Sequence, residues 1–204
     1  MGAEILIDYE NLPRQSSNIR NSAVQINKKL VEVYNKIGNM HENWYGMRYN
    51  DLVRGLNSII PQLNQFLSVI ETDLPYVIEA ISNNFSEVDI KQRVTTEQKT
   101  NIQNIQPIPV VNDIGLRYLD VEVENVRKEV VADLNEIRGI MEDIGGTVGQ
   151  LVMECDGSEE FKSQFSKLKE SFNQSLSNIE NTVVEYMNKT KIQIEKAEKA
   201  NTVS

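Results

Sequence analysis

Four runs of apolar residues, each stepping by three and four, constrain this chain more than any other feature in it. Ile19, Ala23, Ile26, Leu30, Val33, Ile37, Met40 and Trp44 make the first. Leu52, Leu56, Ile59, Leu63, Leu67, Ile70, Leu74, Ile78 and Ile81 make the second. This spacing returns to one side of an α-helix on every turn, so each run predicts a helix with a single apolar stripe. The interruption between the two is short and holds Trp44-Tyr45-Gly46. A tight turn at that point folds two long helices into a hairpin.

The second half repeats the plan. A third stripe runs through Leu119, Val123, Val126, Val130, Leu134, Ile137, Met141, Ile144, Val148 and Leu151. A fourth runs through Phe161, Phe165, Leu168, Phe172, Leu176, Ile179, Val183 and Tyr186. The pause at residues 153–158 ends in Gly157-Ser158-Glu159-Glu160. Gly157 suits a turn with positive φ, Ser158 can cap free amides, and the two glutamates suit the positive end of a helix dipole. Cys155-Asp156-Gly157 therefore stands where Trp44-Tyr45-Gly46 stands in the first half, a degenerate repeat of architecture.

Between the halves, residues 91–112 change character and include Pro107 and Pro109, which no helix could run through. An extended linker of 22 residues reaches about 70 Å, and a hairpin arm of 30–40 residues measures about 45–60 Å. The second hairpin can thus fold back antiparallel on the first. The expected fold is all-α: a hairpin over residues 1–90, a linker over 91–112 and a second hairpin over 113–204, packed as an elongated four-helix bundle. Pro61 and Pro75 fall inside the second stripe, and Thr72-Asp73-Leu74-Pro75 reads as a capped restart. Gly145, Gly146 and Gly149 imply either early fraying of the third helix or close approach of another.

Composition narrows the function. A net charge of −9 argues against a nucleic-acid binder. One cysteine excludes an internal disulfide framework. There is no membrane-length apolar run and no basic, apolar leader of the secretory type. One histidine, no phosphate loop and scattered carboxylates offer no catalytic set, so no enzyme, metal or cofactor is expected.

The Trp-x-Gly turn within a hairpin spanning about residues 4–90 resembles the WXG100 (ESAT-6-like) family. Its members are helical hairpins that pair antiparallel and leave Gram-positive bacteria and mycobacteria through the type VII (ESX-like) secretion system without a cleaved signal peptide. Trp44 and Gly46 match the signature, and residues 5–12 resemble the family's lead-in to the first helix. The resemblance implies a non-enzymatic protein, secreted or cytoplasmic before export, that binds the type VII machinery or a co-secreted helical protein. A possible homodimer follows from the same pairing. Covalent linkage would let the second hairpin replace the partner subunit. The family's export signal, just past the second helix, resembles Tyr-x-x-x-Asp/Glu, and at that place Phe85 and Asp89 stand at that spacing, with Phe where the signal has Tyr.

Each of these residues also has a plainer reading. Trp44 is an apolar plug at the end of a helix pair, or also part of a surface read by a secretion ATPase. His41 is a solvated helix end and Cys155 a partly exposed thiol. The phenylalanine stripe is core, and the acidic runs at residues 120–124 and 142–143 are the wet face of the third helix. The lysines of residues 189–199 complement a helix C-terminus, and membrane contact is not expected. The alternative function is an intracellular chaperone or targeting partner of a larger type VII-secreted toxin, which predicts an exposed apolar surface.

Overall fold

The computed structural model describes residues 5–8, 10–88, 101–112 and 115–201. The chain is all-α. Helix α1 (Asn11–Asn39) leads through a short 3₁₀ turn and strand β2 (Trp44–Tyr45) into a broken second arm, made of α2 (Met47–Asn57), α3 (Ile60–Ser68) and α4 (Leu74–Val88). The second hairpin is α5 (Asp120–Gly149) and α6 (Ser158–Asn201). Three further two-residue strands are β1 (Leu6–Ile7), β3 (Arg117–Tyr118) and β4 (Met153–Glu154).

The predicted stripes form one shared core. Leu30, Ile37, Leu52, Leu63, Leu134, Ile137, Leu176 and Ile179 are completely buried within it. The hairpins lie antiparallel. Lys36 of α1 reaches Asp133 of α5 at 2.6 Å, and Lys29 meets Glu136, so one number rises as the other falls. On the other seam, Phe66 meets Phe172 edge-on at 5.7 Å, while Arg48 reaches Gln193 at 3.2 Å.

A pseudo-twofold arrangement closes both ends. The lead-in of each hairpin pairs with the turn of the other: β1 with β4, and β2 with β3, both antiparallel. The next bond is shared too, for Asp8 N–H donates to Val152 O at 3.0 Å and Leu119 N–H to Asn43 O at 2.9 Å. This register sets Trp44 opposite Tyr118 and Met153 opposite Ile7. The counterpart of Trp44 is therefore the buried Met153. Cys155, which the sequence suggested, lies two residues beyond it.

The second arm breaks differently from expectation as well. Pro61 does open a new helix, α3. At Pro75, however, no capped restart occurs. Residues Val69–Asp73 form a π-turn that carries the helix into α4. A proline lacks the N–H for its place in the ladder, and one extra residue in the preceding turn absorbs the misfit. Just beyond, Arg20 of α1 and the buried Glu79 of α4 pair through two bonds, one of 3.0 Å, with Ser16 donating to the same carboxylate. The third helix neither frays nor stops at its glycines but continues to Gly149. At Gly145 it runs close to Phe165 and Lys169 of α6.

The described part of the linker is an extended strap that packs on the first hairpin. Ile105 and Ile108 are buried, while Pro107 and Pro109 are exposed. Asn50, Asn57 and Asn64 hold its backbone. Each accepts from a strap N–H and donates to the same residue's C=O: Val111 at 3.0 and 2.7 Å, Ile108 at 2.9 and 2.8 Å, Ile105 at 2.9 and 3.4 Å. Asn27 of α1 grips Gln103 likewise at 2.9 and 2.7 Å. We expect Asn57→Ala to lower unfolding free energy by about 1–3 kcal/mol, the penalty for stranding polar groups at a part-buried contact. Asn57→Asp should cost at least as much, since it sets a carboxylate oxygen against the Ile108 carbonyl in place of the donor. Urea titration followed by helical circular dichroism compares the two.

Candidate functional site: the hairpin turn and the strap groove

The Trp44 turn is built to be closed. Gly46 has φ +120°, a conformation that side chains rarely adopt, and a Cβ there would sit 3.3 Å from the carbonyl oxygen of Gly115. Only glycine lets β3 lie against this turn. Trp44 is fully buried beneath that strand. Tyr118 meets it edge-on at 5.4 Å and Tyr49 at 5.9 Å. The indole N–H has no acceptor among the described residues, and aromatic packing surrounds the ring. The Trp44 side chain is covered by the second hairpin, and what that end exposes is Met47, Leu116 and Val121. Met47 and Leu116 line one cleft of about 360 Å³ with Gly46, Asp51 and Gln193.

His41 stands 6.2 Å from the ring of Tyr45 and 6.0 Å from that of Tyr49, as part of the same aromatic cluster. No group of three potential metal ligands occurs among the described residues. Burial pushes the phenols of Tyr34 and Tyr118 far above their ordinary range, which suits the first to its bond with the Leu56 carbonyl. Of the two acidic runs on α5, Asp120 pairs with Lys191 and Glu142 with Lys169, both across to α6. Phe165 and Phe172 are core. Half-buried Phe161 lines an apolar hollow of about 230 Å³ with Leu74, Val77 and Leu168. No helix among the described residues is long and apolar enough to cross a membrane.

Gly157 and Phe85 lie at the opposite end from Trp44. Gly157 has φ +91° with open space around it. Phe85, half-buried on α4, shares a cleft of about 310 Å³ with Ile5, Ile81, Cys155 and Asp156. Asp89 lies outside the described residues. Trp44 and Phe85 are therefore separated by the length of the bundle. The Cys155 thiol is half-buried, and burial together with Asp156 raises its pKa above the ordinary 9.0.

The asparagine groove went unnoticed in the sequence, although a signal existed. Residues 50, 57, 64 and 71 fall at heptad spacing and stack on one face of the second arm. On the strap the clamped residues 105, 108 and 111 fall every three. Two helical turns advance about 10.5 Å and one polyproline turn about 9.3 Å, so the two repeats keep step. Both prolines sit between clamped positions, where no N–H is required. At the fourth position Glu71 accepts from Asn101 N–H at 2.6 Å.

No family model matches this chain, and no curated protein or solved structure is significantly similar to it.

Two predictions test this geometry. Gly46→Ala, strained and crowded, should cost about 1–3 kcal/mol. Gly157→Ala should cost less, since only its backbone conformation objects; paired thermal melts compare them. Because the thiolate is disfavoured, Cys155 should react slowly with iodoacetamide at pH 7 and accelerate as pH rises past 9.0. A rate already at its plateau at pH 7 would contradict this.

Proposed function

We propose that this chain is a non-enzymatic helical-bundle protein of a type VII (ESX-like) secretion pathway, secreted or secretion-associated, that acts by binding other proteins. The observation that supports this reading best is the turn. Trp44 and Gly46 stand at the bend of a long helical hairpin, and a second hairpin lies antiparallel against the first. One chain thereby reproduces the paired-hairpin arrangement that the resemblance implies, with lead-in and turn exchanged between its halves. In this reading the second hairpin takes the place of a partner subunit, and the partners are the secretion machinery or a co-secreted helical protein.

A second reading is favoured by one observation. Met47 is 83% exposed, Leu116 61% and Val121 68%, all at the Trp44 end. An intracellular chaperone or targeting partner of a larger exported toxin would use such a surface to hold its client.

Export separates the two. A tagged chain, expressed in a host with an active type VII system, should accumulate in the medium and be retained in cells when the secretion ATPase is deleted. Retention in both strains would remove the first reading and favour the second. Light scattering across a dilution series should give a monomer near 23.3 kDa, since the core is satisfied within one chain.

A further inference from the structure

We propose that the groove between α1 and the second arm is a binding site for an extended peptide with apolar residues three apart. Residues 103–111 are its resident occupant, and a partner protein's segment of the same pattern can replace them. The inference does not depend on export and stands if the secretion reading fails.

The groove reads backbone. Four asparagines each meet an N–H and a C=O of one strap residue, contacts that any non-proline residue in that register can supply. Side-chain selectivity is centred on two sockets, those of Ile105 and Ile108, which are 2% and 6% exposed, with Ile102 and Val111 packed part-buried at either end. Gln103, Gln106, Pro107, Pro109 and Val110 face outward and are free to vary. This division of labour, main-chain bonds for affinity and spaced pockets for specificity, is how proteins take up extended peptides. Proline at unclamped positions preorganises such a segment and lowers the entropy lost on docking.

At the Glu71 end the described strap residues use only part of the carboxylate. Glu71 is 2% exposed, and its Oε2 has no partner among the described residues. Its Oε1 takes one strap N–H, but a carboxylate cannot return the second bond that each asparagine makes. A ligand carrying an amide or cationic side chain at this end would satisfy the remaining oxygen.

The test uses the full chain with Ile105→Asp and Ile108→Asp, which empties both sockets, and a fluorescent peptide of residues 101–112. We expect binding with a dissociation constant on the order of micromolar. It should weaken at least about tenfold when the peptide carries the same two aspartates, or when the protein also carries Asn57→Ala and Asn64→Ala. A variant that keeps its helical spectrum and cooperative melt yet fails to bind overturns the proposal. Should that variant not fold, hydrogen exchange on the unaltered chain decides. The amides of Ile105, Ile108 and Val111 should exchange at least about a hundredfold faster than that of Leu30, because the strap peels away without global unfolding. Equal rates would mean that the strap opens only when the bundle does, and the site is not exchangeable.

Discussion

Each hairpin carries an apolar face that its own two helices cannot cover, and everything else in the molecule follows from that deficit. A pair of amphipathic helices buries one line of contact and leaves the far side of each stripe exposed. Setting two such pairs antiparallel makes four stripes face one axis, and residues from all four become completely buried. The charged partners across the seam between hairpins, such as Lys29 with Glu136 and Lys36 with Glu129, are part-exposed pairs. They contribute little to stability, but they distinguish an antiparallel alignment from a shifted one. The core supplies the affinity between hairpins and the rim fixes their register.

The two ends solve the same closing problem with different residues. At one, Trp44 and Tyr118 meet across the β2–β3 ladder and Gly46 lets the strand come close. At the other, Met153 and Ile7 do so across β1–β4, and Gly157 has room to spare. A rigid aromatic pair defines its geometry more sharply than a flexible thioether beside an isoleucine. The turn that carries the tryptophan is thus the more exacting half of a pseudo-symmetric molecule, and the strap lies on that same half.

Periodicity revealed the helices because burial and the helical repeat act on the same residues. Nearly every residue of the four stripes is buried or half-buried, with Leu119, at the edge of the second lead-in, an exception. Pairings that depend on the third dimension were hidden. Nothing local distinguishes Met153 from Cys155 as the counterpart of Trp44, since the answer lies in a ladder to residues some 150 positions away. Pro75 announced a disturbance, but whether a helix restarts or adds a π-turn depends on how firmly its flanks are held, here by Leu74 and Ile78 in the core. The asparagines were hidden for a further reason. A polar residue every seventh position looks like a solvated face unless the opposing chain repeats every third.

The strap also shows how one chain can confine a weak interaction without making it permanent. Two buried isoleucines and eight hydrogen bonds, each bond worth about 1 kcal/mol net, are of the same order as the ordering entropy of a segment this long. As a free peptide the strap would bind modestly. Tethered between two hairpins, it meets its groove at a high effective concentration and stays seated. The same tether limits how far it can travel once displaced, so a competing segment must match the register of Asn50, Asn57 and Asn64 to hold its place. Selectivity then arises from spacing, with sequence entering chiefly at the two sockets that Ile105 and Ile108 fill.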